Sequence, residues 1–251
     1  MADRRSGRIL LEIIACSVED ARNAETGGAD RLEVTQELDK DGLTPGVELV
    51  ERIRQAVSIP VHVMIRPRNA FSGFSAKEID SMQEELLAFK RAGVDGAVVG
   101  FLTRDREIDF ETTRAVLKEA QPLSVTFHRA FDHVRDHRRA LREFLEQNIA
   151  HRVLTSGGAS SALEGMEVLA DLHRLAKGRI TLIAGGGVTA ENLPLLFRHT
   201  GLREYHAGRS VRTPPAHDGI VDSQKVLHLA RVAKTLSEEA STIGSDAMRG
   251  L

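Results

Sequence analysis

The sequence has 251 residues with 41% hydrophobic and 28% charged side chains, which suits a soluble globular protein of one large domain. Its 34 Lys and Arg residues nearly balance its 36 Asp and Glu residues, and aromatic residues make up only 4%, so we expect no nucleic-acid partner. One cysteine cannot form an internal disulfide, and no apolar run approaches the roughly 20 residues that span a bilayer, so we predict a cytoplasmic protein without membrane contact.

Short runs of apolar and β-branched residues recur along the chain and predict eight strands. Their starts lie roughly 22 to 35 residues apart, which is about the length of one strand plus one helix. The runs cover residues 8–15, 31–34, 61–65, 96–100, 124–127, 152–154, 179–183 and 203–206.

Amphipathic segments separate these runs and predict helices. Ile79, Met82 and Leu86 recur at the three- and four-residue steps of one helix face. Ser75 and Glu78, just before that segment, have the spacing of a capping box. The chain therefore alternates strands and helices from one end to the other.

Eight alternating strand–helix units predict an α/β fold, a single-domain (β/α)8 TIM barrel. An open doubly wound sheet is the weaker alternative, because residues 15–17 after the first strand contain no glycine-rich turn. We expect a charged N-terminal tail at 1–8, the barrel at 9–234, and a disordered polar tail at 235–251. Residues 212–219 predict a long loop after the eighth strand.

Carboxylates and an imidazole fall where a barrel of this kind has its active site, at the C-terminal ends of the strands. Glu12 and Glu33 interrupt the first two strands, where an unpaired carboxylate costs several kcal/mol. His128 and Asp132 follow the fifth strand. These four residues are the candidate catalytic acid/base groups, with Glu33 and His128 as the pair that transfers a proton. The alternative is that both glutamates bind arginines inside the barrel and that the histidines belong to the core.

Cationic and glycine-rich segments end most of the other strands and predict an anion site. Guanidinium groups bind carboxylate or phosphate in a bidentate manner, and glycine turns let backbone N–H groups approach an oxyanion. Loops after strands seven and eight bind phosphate in many barrels, although glycine-rich turns also occur for geometric reasons alone. The candidate set is Arg66, Arg68, Arg129, Ser156, Gly157, Gly186, Gly187, His206 and Arg209.

Other ligands and nucleophiles are less well supported by the pattern. Cys16, at the turn after the first strand, is either a small buried hydrophobe or a donor for a soft metal. His133 and His137 have a spacing that can chelate a metal on a helix, but their Arg and Asp neighbours favour a solvated helix start. No lysine ends a strand and no G-x-S-x-G segment occurs, which excludes a Schiff-base aldolase and a serine hydrolase elbow.

The motifs at the predicted mouth resemble those of the CutC family, whose members are usually named copper homeostasis proteins. The resemblance spans roughly residues 9–212 and implies a TIM barrel, in agreement with the strand count. The Thr-Phe-His-Arg-Ala-Phe-Asp segment at 126–132 is its most specific part. The other segments that carry it are 27–31 between the two glutamates, 42–45, 64–68, 153–158 and 185–188.

The resemblance implies a cytosolic role in copper homeostasis, with copper(I) bound by cysteines. Family members usually carry those cysteines where this chain has Ile14 and Thr35, and Cys16 stands where the family usually has Asp. Copper(I) favours thiolate and thioether ligands, so Cys16 is the candidate copper ligand. The mouth residues that match the family are Glu12, Glu33, Arg66, Arg68, His128, Arg129, Asp132 and Ser156.

Two hypotheses for function stay open at this point. In the first, the chain is a copper-binding protein of copper homeostasis, and Cys16 is essential. In the second, it is an enzyme that performs acid/base chemistry on a small phosphorylated or carboxylated metabolite, and Cys16→Ser is silent. The expected partner is accordingly a copper ion or a small anionic molecule, and no further cofactor is predicted. A homodimer is expected because such assemblies are common, and a purely structural scaffold would leave the buried charges unexplained.

Overall fold

The computed structural model describes residues 7–249, with side chains from 7 to 242, and shows eight parallel strands closed into a barrel. The strands follow one another around the barrel in chain order, and the last pairs with the first, so the predicted fold class is confirmed. They are β1 (Leu10–Ala15), β2 (Arg31–Val34), β3 (Val61–Met64), β4 (Gly96–Val99), β5 (Ser124–Phe127), β6 (Arg152–Thr155), β7 (Thr181–Ala184) and β8 (Glu204–Ala207).

A helix follows each of these strands, which completes the (β/α)8 pattern. Short 3-10 helices lie in three of the connections, at Leu38–Lys40, Arg129–His133 and Arg209–Val211. The α-helices are α1 (Val18–Gly27), α2 (Val47–Ala56), α3 (Ala76–Arg91), α4 (Phe110–Val116), α5 (His137–Gln147), α6 (Met166–Ala176), α7 (Leu193–Thr200) and α8 (Ser223–Arg249).

The helix starts show why these segments are helical. The Ser17 hydroxyl accepts a hydrogen bond from the Asp20 N–H and so satisfies a free donor in the first turn of α1. The predicted capping box of α3 is present, with Ser75 and Glu78 bonded to each other's backbone N–H groups. Met82 is fully buried on the face of α3 that packs on the barrel. Local sequence therefore determines where these helices begin.

The inside of the barrel is charged to an unusual degree. Along β1, the side chains of Leu11 and Ile13 belong to the apolar core. The side chain of Glu12 between them points to the opposite face of the strand, because side chains alternate along a strand. Strand pairing places Glu12 beside Arg31 of β2 and beside His206 of β8. The buried charged and imidazole side chains of β1, β2, β3 and β8 are Glu12, Arg31, Glu33, His62, Glu204 and His206.

Both predicted segments after the eighth strand differ from the structure. The loop predicted at 212–219 begins as a strand, β9 (Arg212–Thr213), which pairs with β10 (Ile220–Val221) in a small antiparallel hairpin. The tail predicted to be disordered continues α8 as far as Arg249. Leu236 is buried, and Ser237 Oγ accepts a hydrogen bond of 2.8 Å from the Ile9 N–H, so tertiary contacts hold this polar segment in the helix.

The ends of the predicted tails lie outside the described residues, at 1–6 and 250–251. Among the helices that the structure describes, none is both long and apolar enough to cross a membrane.

Candidate functional site

A cavity of about 320 Å³ opens at the ends of the strands where the active site was predicted. Its walls combine polar and apolar side chains, as is typical of small-molecule sites. The apolar wall includes Ile14, Leu38, Met64, Phe71 and Leu154. Eight predicted site residues line the cavity, and they are Glu33, Arg66, His128, Arg129, Gly186, Gly187, His206 and Arg209. Glu12, Arg68, Asp132, Ser156, Gly157 and Cys16 are not among the lining residues.

Glu33 is the carboxylate of this cavity. Its side chain is buried, and its Oε2 atom has no hydrogen-bond partner among the described residues. Burial raises the pKa of Glu33 to about 7, although the nearby charge of His206 opposes the rise. A carboxyl group with a pKa near neutrality can both accept and release a proton at cellular pH.

Glu12 and His206 form a buried ion pair next to Glu33. His206 Nδ1 lies 2.8 Å from Glu12 Oε1, and the Arg31 Nε–H group donates to Glu12 Oε2 at 2.6 Å. Burial opposes ionisation of Glu12, but Arg31 and the hydrogen bond from His206 hold its pKa well below the usual range. Burial likewise opposes protonation of His206, but Glu33 and Glu12 raise its pKa. His206 therefore lies in the cavity wall, paired with the buried Glu12 and close to Glu33.

The interior charges continue away from the cavity. Arg31 also donates to Glu204 Oε2 at 2.6 Å, and Arg152 Nε lies 3.2 Å from the same oxygen. The alternative hypothesis, that the glutamates bind arginines inside the barrel, therefore holds for Glu12. It does not describe Glu33, whose free oxygen sets the two apart.

Three groups of this cluster could in principle hold a metal ion. One carboxylate oxygen each of Glu12 and Glu33 and one ring nitrogen of His206 all lie within 4.8 Å of one another. Oxygen and imidazole donors suit a hard or borderline divalent cation rather than copper(I). Arg31 already neutralises Glu12, so the cluster needs no cation to balance that carboxylate.

His128 is a neutral hydrogen-bond donor in the cavity wall. Its Nδ1 atom accepts a hydrogen bond of 3.1 Å from the Ala130 N–H, so the ring hydrogen is assigned to Nε2. Nε2 is buried and has no partner among the described residues. Burial, assisted by the charge of Arg66, lowers the pKa of His128 to about 3. The ring therefore stays uncharged at neutral pH, which suits a hydrogen-bond donor, and the place of His128 in an acid/base pair with Glu33 stays a prediction.

Arg66 places a cation without a direct carboxylate contact in the same wall. Its guanidinium donates to the carbonyls of Lys40 and Gly42 at 3.0 and 3.1 Å and to Asn69 Oδ1 at 2.6 Å. It also lies over the ring of Phe71, at 4.6 Å from the centroid. None of these hydrogen-bond partners is a carboxylate. Burial lowers the pKa of Arg66, and the charge of Asp41, which also lines the cavity, opposes this effect.

Asp132 organises the loops after β5 and β6. Its carboxylate accepts hydrogen bonds from Arg129 Nε at 2.7 Å and from the Ser156 N–H and hydroxyl at 2.9 Å. The Gly157 N–H is also occupied, because it donates to Thr155 Oγ1 at 2.9 Å. Asp132, Ser156 and Gly157 thus connect the loops after β5 and β6 and orient Arg129. Their direct roles in proton transfer and anion binding stay predictions, which these existing hydrogen bonds do not favour.

The turn after β7 keeps free donors at the rim. Gly186 and Gly187 have φ angles of 96° and 75°, which favour glycine, and their N–H groups donate to no acceptor among the described residues. Arg209 is exposed and forms no ion pair with a carboxylate of the described chain, and it lies 3.4 Å from His217 Nε2. Free N–H groups and a guanidinium without a carboxylate partner thus line the same cavity, a combination that fits an oxyanion.

Arg68 is directed away from this anion site. Its Nε–H group donates to Glu78 Oε1 at 2.6 Å, and its guanidinium lies 4.6 Å from the centroid of the Phe74 ring. That Arg68 binds an anion in the mouth stays a prediction, and its pairing with Glu78 on α3 and its place outside the cavity lining do not favour it.

The surroundings of Cys16 do not favour its thiolate form, and its role as a copper(I) ligand stays a prediction. Burial raises the pKa of its thiol to about 12, so the thiolate that copper(I) prefers is disfavoured. The guanidinium of Arg212 lies 3.7 Å from the sulfur and also donates to Asp20. A second cation at this sulfur would be repelled by the buried Arg212.

Sequence reasoning missed the interior partners that define the site. Arg31 and Glu204 decide which glutamate is paired, and Phe71 and His217 add to the cavity wall. Charged residues two positions apart inside a short strand, as in Arg31 and Glu33, were the available signal, because both then face the barrel axis. The wall residues had no such signal, since they lie in loops.

Comparisons with known proteins identify relatives over most of the chain. The chain matches the model of the CutC family over residues 9–211. The copper homeostasis protein cutC homolog of Homo sapiens is 45% identical over 204 residues, which cover 81% of this chain and 74% of the human protein. The family protein CutC of Xanthomonas axonopodis pv. citri is 39% identical over 216 residues, which cover 84% of this chain and 90% of the Xanthomonas protein.

Solved structures agree with this family match. The crystal structure of the putative copper homeostasis protein CutC from Streptococcus agalactiae has a TM-score of 0.75 at 30% identity. The superposition covers 80% of this chain and 98% of the streptococcal chain. A phosphoribosylanthranilate isomerase from Thermotoga maritima has a TM-score of 0.61 at 14% identity, with 90% of this chain and 99% of the isomerase chain covered. At this identity the similarity shows the fold alone.

Proposed function

This chain belongs to the CutC family, and we propose that it is an enzyme that transfers protons on a small phosphorylated or carboxylated metabolite at the barrel mouth. The names of its human and streptococcal relatives support copper homeostasis as the wider role. In this proposal the chain serves that role through chemistry at the mouth rather than by binding copper(I). Oxygen, imidazole and guanidinium groups, not sulfur ligands, carry the chemistry there.

The observation that carries the proposal is the free oxygen of Glu33. Leaving a buried carboxylate unpaired is costly, and folding alone gives no reason to keep it next to the fully paired Glu12. A buried carboxyl with a pKa near 7, in the wall of a cavity, has the properties of a general acid or base. The adjacent imidazolium of His206 stabilises the ionised form after the proton leaves.

Cations around the cavity define the charge of the substrate. Arg66 and Arg209 both line it without a carboxylate partner among the described residues, and Arg129 approaches the glycine turn after β7. The free N–H groups of Gly186 and Gly187 stand beside them. A phosphate or carboxylate in this corner would supply the missing counter-charge.

Titration calorimetry with inorganic phosphate and with phosphoglycolate tests the proposal. We expect both anions to bind the wild type, and we expect Arg209→Gln to weaken binding by about tenfold or more, since a charged hydrogen bond contributes roughly 1.5–3 kcal/mol. Arg22→Gln, which removes an exposed cation on α1, is the matched control and should bind as the wild type does. Equal binding by the Arg209 and Arg22 variants, or no binding at all, would contradict an anion site at the mouth.

A further inference from the structure

The mouth holds two buried polar groups of opposite kind that both lack a protein partner. Glu33 Oε2 is an acceptor, and His128 Nε2 is a donor. We propose that the substrate is a small phosphorylated aldehyde or ketone, whose carbonyl oxygen accepts the hydrogen bond from His128 while Glu33 moves a proton at the adjacent carbon. This inference rests on the proposed function and adds to it the class of substrate and of reaction.

The geometry around His128 fixes it as a donor to a ligand. The hydrogen bond from the Ala130 N–H occupies Nδ1, so the hydrogen is on Nε2. The ring lies directly over Gly100, where a Cβ atom would come within 2.1 Å of it, and its centroid lies 5.5 Å from that of the Phe71 ring. The ring is therefore held in place while its N–H group is unsatisfied. An unsatisfied buried donor destabilises the folded protein, and a ligand oxygen that accepts from it would remove that cost.

A neutral donor is suited to a carbonyl oxygen. In an enolisation, negative charge develops on that oxygen, and a fixed N–H group stabilises it. The low pKa of His128 keeps the imidazole neutral, so it donates without first being deprotonated. Base and donor both line one cavity, and its 320 Å³ has room for on the order of ten non-hydrogen atoms.

The step balances with no further reactant. The Glu33 carboxylate takes a proton from the carbon next to the carbonyl, and the C–H electron pair becomes a carbon–carbon double bond. The carbonyl π electrons move to the oxygen, where His128 stabilises the enolate. Protonated Glu33 then returns a proton to carbon, so no oxidant or reductant is consumed. In D2O the proton on Glu33 exchanges with solvent, and deuterium enters the substrate.

Proton NMR in D2O measures this exchange directly. The probes are dihydroxyacetone phosphate and glycolaldehyde phosphate, and we expect the wild type to remove the signal of the hydrogens next to the carbonyl faster than buffer does. His128→Phe keeps a ring but removes the donor, and it should slow exchange by about 10²–10³-fold, the effect of losing an oxyanion donor. His128→Gln keeps an amide N–H group and should retain more activity than the Phe variant.

A matched control and an independent readout separate donation from folding. His151 Nδ1 accepts a hydrogen bond of 2.9 Å from the Val125 N–H, outside the cavity, and His151→Gln should leave the exchange rate unchanged. Both His128 variants should bind inorganic phosphate as tightly as the wild type does. In the wild type, phosphoglycolate, whose carboxylate imitates the enolate oxygen, should shift the Nε2–H resonance of His128 downfield.

The outcomes distinguish this inference from the proposed function. Failure of inorganic phosphate to bind the wild type overturns the proposed function itself. Phosphate binding without exchange of either probe, or without a shift of the His128 resonance, overturns the carbonyl assignment and leaves the anion site intact. Equal exchange by the wild type and His128→Phe also overturns it.

Discussion

Glu33→Gln should make the protein more stable at alkaline pH, relative to the wild type, and progressively less so as the pH falls. Burial raises the pKa of Glu33 from an ordinary 4.5 to about 7. Between these two pH values the folded chain keeps a proton that the unfolded chain releases. The free energy of unfolding of the wild type therefore falls as the pH rises through this window. Gln does not titrate, so the variant does not lose this part of its free energy of unfolding as the pH rises.

The size of the effect follows from the pKa difference. A difference of about 2.5 pH units at 1.36 kcal/mol per unit corresponds to roughly 3 kcal/mol in full. Between pH 5 and pH 8 the advantage of the variant should grow by about 2 to 3 kcal/mol. His206 and Glu12 face Glu33 from β8 and β1, and Arg31 completes the cluster, so the change belongs to this group of charges as a whole.

Urea unfolding of both proteins at pH 5 and pH 8 measures this difference, because titrations elsewhere in the chain cancel between them. Glu48→Gln, at an exposed carboxyl on α2, is the control and should follow the wild type at both pH values. A stability gap between Glu33→Gln and the wild type that is the same at pH 5 and pH 8 would refute the assignment of Glu33 as the protonated, unpaired carboxyl of the mouth.

Three further predictions concern the interior, a helix cap and the cysteine. Arg31→Met leaves Glu12 and Glu204 without their shared cation, and it should lower the free energy of unfolding by about 3–5 kcal/mol in urea titrations. Ser75→Ala removes the capping box of α3, and it should cost about 1 kcal/mol and lower the melting temperature by about 2–4 °C in calorimetry. Cys16→Ser should leave anaerobic copper(I) titrations against a chelator unchanged, and tight binding lost in this variant would restore the thiol as a copper ligand.

The local signals of the sequence were sufficient for the barrel. Each strand was predicted within a few residues, because a short apolar run of three to eight residues between amphipathic helices has few other structures open to it. The capping box at Ser75 was predicted for a similar reason, since it depends on a residue three positions away. The polar end of α8 was missed, because its helical structure depends on a distant contact with Ile9.

The sequence also placed most of the candidate site at the correct end of the barrel. The rule that strand ends converge brought Arg66, His128, Arg209 and the glycines after β7 to one cavity. It also included Arg68 and Asp132, since a residue near a strand end can turn toward a neighbouring helix or loop instead. Their carboxylate and N–H partners, which the fold supplies, decide that direction.

The sequence by itself determined the strands, the helix starts and the closed barrel, whereas only the tertiary structure decided which buried charge is free to react. Glu12 and Glu33 each stand as the one carboxylate of a short strand, and the sequence alone does not show which of them Arg31 binds. Strand pairing sets Arg31 beside Glu12 and His62 beside Glu33. Protonation and pairing depend on charges a few ångströms away in space, which come from strands distant in the sequence, so the pKa values of these two glutamates differ.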